Sequence, residues 1–144
     1  MTRLNTELLP FSEQSAKKAA EIMAAGGVVG IPTETVYGLA ADARNEAAVR
    51  SIFEAKGRPQ DNPLIVHISA LEQLPLVREI PELALKIAEK YWPGPLTMIF
   101  PKSDMIPAAT SGGLDTVAVR MPESPAARAI IDACGFPLAA PSAN

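Results

Sequence analysis

The sequence predicts an α/β fold, with a mixed parallel and antiparallel sheet wrapped by flanking helices. Short apolar runs of strand length alternate along the chain with segments that carry apolar residues at helical spacing. Capping residues precede the helical segments and glycines follow them. The 14 prolines separate these elements rather than cluster. No repeat or linker interrupts the pattern, so we predict one domain spanning residues 1–144.

Composition narrows the class of protein further. A chain of 144 residues can bury one core but is short for two. The 13 Lys and Arg against 16 Asp and Glu give a net charge of −3, which does not favour a general nucleic-acid binder. No apolar run approaches the ~20 residues of a membrane span. The single Cys134 and the lack of a signal-peptide pattern in residues 1–10 favour the cytoplasm.

Five helical segments follow from caps and periodicity. Ser12 caps a helix over about residues 12–25, and Asn45 caps a second helix that ends near Lys56. A short helix starts near Ser69, and a longer one has Pro81 in its first turn. Ser124 caps the fifth, which Gly135 ends. Cys134, near the end of this last helix, is expected to be a buried structural thiol rather than a nucleophile.

The apolar runs predict strands at residues 28–31, 64–68, 96–100, 116–121 and 138–140. The first is continuously apolar, as in a strand covered on both faces, and Pro32 should end its pairing. Residues 33–39 read as a polar loop. The long loop over residues 101–115 has Thr110-Ser111-Gly112-Gly113 as its expected mobile centre, where the glycine amides could meet an anion.

Residues 56–67 are the most distinctive stretch for function. Lys56 and Arg58 could clamp a phosphate, although two cations at a helix C-terminus also complement the helix dipole in water. Prolines 59 and 63 bracket Asn62 and stiffen the loop. His67 interrupts an apolar strand, and a core histidine and a ligand contact both remain open. One His and one Cys make a zinc site improbable, so we predict no metal ligands.

Other polar groups follow or precede the predicted strands. Thr33 and Thr35 could present hydroxyls to a ligand or form a turn. Arg120 ends an apolar strand and, if buried, needs an anionic partner such as a ligand carboxylate, Asp or Glu. Ser142 and Asn144 could bond a ribose or phosphate, or form a turn. A strand followed by such a loop is where α/β proteins place ligands, and we expect the domain to continue past Asn144.

Five motifs, taken together, carry a resemblance to a known family. They are Pro32-Thr33-Glu34-Thr35-Val36-Tyr37-Gly38-Leu39, Lys56-Gly57-Arg58-Pro59 with Asn62-Pro63-Leu64, Pro93-Gly94-Pro95-Leu96-Thr97, Val119-Arg120-Met121-Pro122 and Pro141-Ser142-Ala143-Asn144. In this order they resemble the YrdC-like domain of the threonylcarbamoyl-AMP synthases, also called the YrdC, YciO and Sua family. The resemblance runs from about Ser12 to the last residue.

The resemblance implies a twisted mixed sheet around a concave positive cavity. It also implies a nucleotidyltransferase that makes threonylcarbamoyl-adenylate and pyrophosphate from L-threonine, bicarbonate and ATP, with Mg²⁺ accompanying ATP. The product would serve threonylcarbamoyladenosine formation in tRNA, with tRNA-modification proteins as partners. Family domains continue beyond the Ser-x-Asn motif, which implies that this domain is incomplete at its C-terminus.

Residue roles are likewise implied by matching motifs. Lys56 and Arg58 would be the catalytic cations. The nucleotide contacts would be Lys56, Arg58, Asn62, Thr116, Ser142 and Asn144. The threonine pocket would be formed by Thr33, Thr35, Tyr37, His67, Arg120 and the backbone at Ala140.

Two alternatives remain beside this synthase. YrdC-like domains are also suited to double-stranded RNA or tRNA through a positive concave face, which would need no ATP turnover. The second alternative is a relative that uses carbamoyl phosphate, as in hydrogenase maturation factors. Threonine-dependent ATP–pyrophosphate exchange separates the synthase from both, and salt-sensitive RNA binding without exchange indicates the binding module.

Overall fold

The fold is a mixed sheet with helices on both sides, as predicted. The computed structural model describes residues 7–33, 37–57 and 63–142. Its elements, in chain order, are α1 (Glu13–Ala24), β1 (Val29–Pro32), β2 (Tyr37–Asp42), α2 (Glu46–Lys56), β3 (Ile65–His67), a 3-10 helix (Leu71–Leu76), α3 (Glu82–Tyr91), β4 (Met98–Pro101), α4 (Ala108–Ser111), β5 (Thr116–Arg120), α5 (Pro125–Cys134) and β6 (Leu138–Ala139). The strand order is β1-β2-β6-β3-β5-β4.

Strand directions make the sheet mixed. The pair β3–β5 is parallel, and the pairs β1–β2, β2–β6, β6–β3 and β4–β5 are antiparallel. The last strand in the chain, β6, therefore lies between β2 and β3 and joins the two halves of the sheet. No helix in the described parts of the chain is both long enough and apolar enough to cross a bilayer.

Local capping sets the helix ends where the sequence predicts them. The Ser12 hydroxyl accepts the Ser15 N–H at 3.0 Å, and Ser15 accepts the Ser12 N–H in return. Asn45 accepts the Ala48 N–H at 3.1 Å at the start of α2. Gly57, which follows α2, has a φ of 63°, a conformation that glycine adopts without a Cβ clash.

The first strand differs from the prediction. Residues 29–32 form an edge strand whose Gly30 is exposed, not a strand covered on both faces. Pro32 stays in the strand opposite Tyr37, because a residue with no N–H is tolerated where the edge faces solvent.

The predicted polar loop at residues 33–39 is also wrong in its second half. From Tyr37 the chain forms β2, which pairs with β1 through Val29–Ala40 to Pro32–Tyr37. Gly38, Ala40 and Ala41 have little intrinsic preference for strands, so the local sequence does not signal one. Pairing on both sides, with β1 and β6, stabilises the strand instead.

Two apolar clusters occupy opposite sides of the sheet. One buries residues of α2, α3 and the 3-10 helix against Ala41, Val66 and Val119. The other buries residues of α1 and α5 against Ala40 and Leu138. Because side chains alternate along a strand, the neighbouring residues Ala40 and Ala41 pack in different clusters. At the centre of the sheet, Ala40, Ala41 and Ala139 are each 0% exposed.

The loop before β5 is ordered by a buried hydrogen bond, which contradicts its predicted mobile centre. Thr110 and Ser111 are both fully buried within α4. The Thr110 hydroxyl donates to the carbonyl oxygen of Ala43 at 2.8 Å, 67 positions earlier in the chain. The amides of Gly112 and Gly113 both donate to the Ala108 carbonyl. They are therefore not available to an anion.

Replacing Thr110 with valine should destabilise the fold. The change keeps the shape of the side chain but leaves the buried Ala43 carbonyl without its hydroxyl donor. We expect a loss of about 1–3 kcal/mol in the free energy of unfolding, measured by urea denaturation. Thr110→Ser keeps the hydroxyl and is the control. A valine variant as stable as the serine variant would contradict the role given to this bond.

Cys134 is half-buried at the end of α5, consistent with its predicted structural role. Burial, with a smaller contribution from the Asp42 carboxylate, raises the pKa of its thiol to about 11. Because of this raised pKa, the folded chain carries very little thiolate near neutral pH, and the thiolate is the reactive form of cysteine.

Cys134 should therefore react slowly with a disulfide reagent in the folded chain. At pH 8 we expect a rate about 100-fold below that of the urea-unfolded chain, rising about tenfold per pH unit up to about pH 11. Because the unfolded chain deprotonates first, the free energy of unfolding should decrease as the pH rises past about 9. Reaction rates that level off at pH 9 in the folded chain would refute the raised pKa.

Candidate functional site

One part of the candidate site lies on the half of the sheet that the helices leave uncovered. The alternation of β3, β4 and β5 directs Ile65, Ile99 and Ala118 away from α2 and α3. None of the three belongs to either apolar cluster, and Ile99 is 70% exposed. We call this surface, made of Ile65, His67, Ile99, Ala118 and Arg120, the open face.

His67 and Arg120 are adjacent on the open face. They are register partners in the parallel pair β3–β5, which directs their side chains to the same side of the sheet. His67 is 5% exposed and Arg120 is half-buried. The Arg120 Nε–H donates to the Thr97 hydroxyl at 2.9 Å. Two residues predicted for the threonine pocket are thus neighbours, and His67 still fits both a core position and a ligand contact.

Thr97 is not among the residues predicted to line the site. It lies in the Pro-Gly-Pro-Leu-Thr motif, and its contact with Arg120 depends on β4 pairing with β5. The strand order supplies that proximity, and the sequence does not reveal it. A hydroxyl directly before an apolar strand is the only local signal.

Lys56 and Ser142 meet at the other end of the site. Lys56 is the last residue of α2, and its ammonium group donates to the backbone carbonyl of Ser142. Ser142 also forms an isolated bridge with Gly38, which fastens the chain after β6 to β2. Two motifs predicted to contact the nucleotide, 86 positions apart, are therefore brought into direct contact.

The two groups lie at opposite ends of β3. This strand runs antiparallel to β6, so His67 faces Leu138 while Ile65 accepts the Ala140 N–H at 3.4 Å. Ser142 lies beyond that second end. His67 faces Leu138, and Ser142 lies four residues further along an extended chain, so at about 3.3 Å per residue the two groups are about 13 Å apart along the sheet, which a nucleotide-sized ligand can span. The N–H of Ala140 is used within the sheet.

The remaining predicted residues are spread around these two groups. Thr116 is the exposed first residue of β5, two positions before the Ala118 that pairs with Ile65. Thr33 is half-buried directly after β1. Tyr37 is 66% exposed and lines a 250 Å³ cavity between the segment before α1, α1 itself and β1. Thr35, Arg58, Asn62 and Asn144 lie outside the described residues.

No group of three or more His, Cys, Asp or Glu side chains within residues 7–33, 37–57 and 63–142 is arranged to hold a metal ion. Two cationic side chains, Lys56 and Arg120, belong to the site. Arg120 lies beside one end of β3 and Lys56 lies with Ser142 beyond the other end, an arrangement suited to anionic groups that are well separated.

Comparisons with known proteins agree on one family. Residues 21–144 match the protein family described as "Telomere recombination", whose label joins Sua5, YciO and YrdC. The chain is 55% identical over 135 residues to a threonylcarbamoyl-AMP synthase of Pyrococcus abyssi, covering 93% of this chain and 40% of the relative. It is 49% identical over 141 residues to the enzyme of that name from Bacillus subtilis, covering 96% and 41%.

A solved structure supports the same conclusion. The P. abyssi Sua5 complexed with L-threonine superposes with a TM-score of 0.90 at 52% identity, covering 94% of this chain and 40% of that one. The chain thus spans about two fifths of the length of these relatives. The match over residues 21–144, together with the mixed sheet and its motifs, shows that the chain belongs to the Sua5, YciO and YrdC family.

Proposed function

We propose that this chain binds L-threonine at the open face and ATP beside Lys56 and Ser142, and that it forms threonylcarbamoyl-adenylate as a nucleotidyltransferase. The observation that carries the proposal is the placement of His67 with Arg120 at one end of β3 and of Lys56 with Ser142 beyond the other end. The product has a phosphate and an amino-acid carboxylate at separate positions. Two cationic groups about 13 Å apart along the sheet suit the phosphates of the nucleotide and the carboxylate of the amino acid.

Lys56 serves the nucleotide end in this proposal. Its ammonium has three donors, so it can keep the Ser142 carbonyl and still bond a phosphate oxygen. A fixed cation there stabilises charge that develops on the α-phosphate and on the pyrophosphate leaving group. The motif match adds Arg58, Asn62, Thr116, Ser142 and Asn144 as further nucleotide contacts.

Arg120 and His67 serve the amino-acid end. The guanidinium group suits a carboxylate because it can donate two parallel hydrogen bonds. His67, on the neighbouring strand, can hold another polar group of the same ligand. The P. abyssi relative is described in complex with L-threonine, which supports this choice of ligand. Thr33, Thr35, Tyr37 and Ala140 complete the proposed pocket.

The proposed reaction has two steps and needs no side-chain nucleophile. The threonine amine attacks bicarbonate, an N–C bond forms and water leaves, which gives a carbamate. A carbamate oxygen then attacks the α-phosphate of ATP, and pyrophosphate leaves with the electrons of the broken P–O bond. The chain contributes orientation and fixed charge to both steps. Mg²⁺ enters with ATP as part of the substrate.

The adenylate would then supply the threonylcarbamoyl group for tRNA modification, with partner proteins that transfer it. The names of the relatives support this assignment. Direct binding of RNA without ATP turnover is the alternative outcome of the test below, and the net charge of −3 does not favour it.

Removal of the Lys56 charge should abolish most of the exchange activity. Lys56→Met keeps the apolar stem of the side chain but loses the cation. We expect threonine-dependent exchange of labelled pyrophosphate into ATP, measured with bicarbonate and Mg²⁺, to fall about 100-fold. Lys86→Met, which removes an exposed lysine of α3, is the matched control and should keep the wild-type rate.

Three outcomes bear against the proposal. An unchanged exchange rate in Lys56→Met would refute the role of that lysine. A wild-type chain that binds neither ATP nor L-threonine in calorimetry would refute the proposed function as a whole. Salt-sensitive binding of double-stranded RNA without any exchange would favour the RNA-binding module instead.

A further inference from the structure

Arg120 is held by a hydroxyl from the neighbouring strand. Its Nε–H donates to the Thr97 Oγ1 at 2.9 Å, and both side chains are half-buried. The register of β4 on β5 explains the contact, because Met98 pairs with Val119 and the next position along each strand brings Thr97 opposite Arg120. The bond therefore follows from the sheet itself.

The turn that carries Thr97 is fixed on both sides. The Trp92 indole N–H donates to the Leu96 carbonyl at 2.8 Å, which closes the turn upon itself. The Gly94 N–H donates to the carbonyl of Met121 at 2.9 Å, directly after Arg120. A Cβ at Gly94 would lie 2.6 Å from the Tyr91 carbonyl oxygen, so only glycine fits this position. The residues around Thr97 and around Arg120 are thus joined twice.

This arrangement leaves a defined part of the guanidinium available. An arginine has five N–H donors in one plane, and the Nε–H lies along one edge of it. With that edge bonded to Thr97, the plane can no longer rotate freely about the side chain. Among the described residues, Thr97 is the hydrogen-bond partner of the Arg120 side chain. The two terminal nitrogens then present a fixed pair of donors, the geometry that a carboxylate accepts.

We propose that Thr97 is a positioning residue, which orients Arg120 to receive the carboxylate of the amino-acid substrate. The inference rests on the proposed function, since it assumes that the amino acid binds at Arg120. Thr97 does not contact the ligand. Its effect arises because an arginine that is already ordered loses less conformational freedom on binding.

The test compares two substitutions and two ligands. Thr97→Val keeps the branched shape but removes the acceptor, and Thr97→Ser keeps the hydroxyl. Calorimetry measures Kd for L-threonine and for L-threoninol, in which a hydroxymethyl group replaces the carboxylate. We expect Thr97→Val to weaken L-threonine binding about tenfold while leaving L-threoninol binding unchanged. Thr97→Ser should bind L-threonine as the wild type does.

The outcomes separate this inference from the proposed function. Wild-type binding of L-threonine with an equal Kd in Thr97→Val would overturn the inference alone. Equal weakening of both ligands would also overturn it, because that pattern indicates general disruption of the turn. A wild-type chain that binds no L-threonine would overturn the proposed function, and this inference with it. The wild type should bind L-threonine more tightly than L-threoninol, because only L-threonine has the carboxylate that Arg120 receives. Arg120→Ala should remove this difference in Kd.

Discussion

The pairing of β6 with two partners holds the sheet together. Leu138 and Ala139 face Asp42 and Ala41 on one side, and His67 and Val66 on the other. Hydrogen bonds extend this pairing at both ends, from the Leu39 N–H to the Pro141 carbonyl and from the Ala43 N–H to the Pro137 carbonyl. Without these contacts, β1–β2 and β3–β5–β4 would be separate small sheets, and a two-stranded pair such as β1–β2 is marginally stable at best on its own.

The same strand brings the candidate site together. Because β6 runs along β3, the chain that leaves it reaches Ser142 close to the end of α2 and to Lys56. Because it covers the other edge of β3, the pair β3–β5 lies inside the sheet, with His67 and Arg120 beside each other. The two groups of residues that we assign to two substrates are therefore arranged by one short element rather than by the loops that carry them.

Features of the fold that depend on neighbouring residues are predicted correctly from the sequence, whereas features that depend on residues far along the chain are not. Ser12, Asn45 and Ser124 act within three residues of themselves, so the starts of their helices are predicted correctly. The strand at β2 and the burial of Thr110 depend on partners far along the chain. Alanine has little intrinsic preference for strands, so the sequence does not indicate a strand that is stabilised by pairing with its neighbours in the sheet.

The candidate site follows the same division. The motifs identify Lys56, Ser142, His67 and Arg120 as polar residues that need an explanation. Which of them meet depends on strand order, and so does the contact of Arg120 with Thr97.

The alanines at the centre of the sheet limit which residues the fold can accept there. Ala40, Ala41 and Ala139 have no exposed surface, and helices cover both sides, so larger side chains have no space to enter. Sequence variation within this fold should therefore concentrate on its outer strands and helix surfaces, while the middle of the sheet stays restricted to small residues.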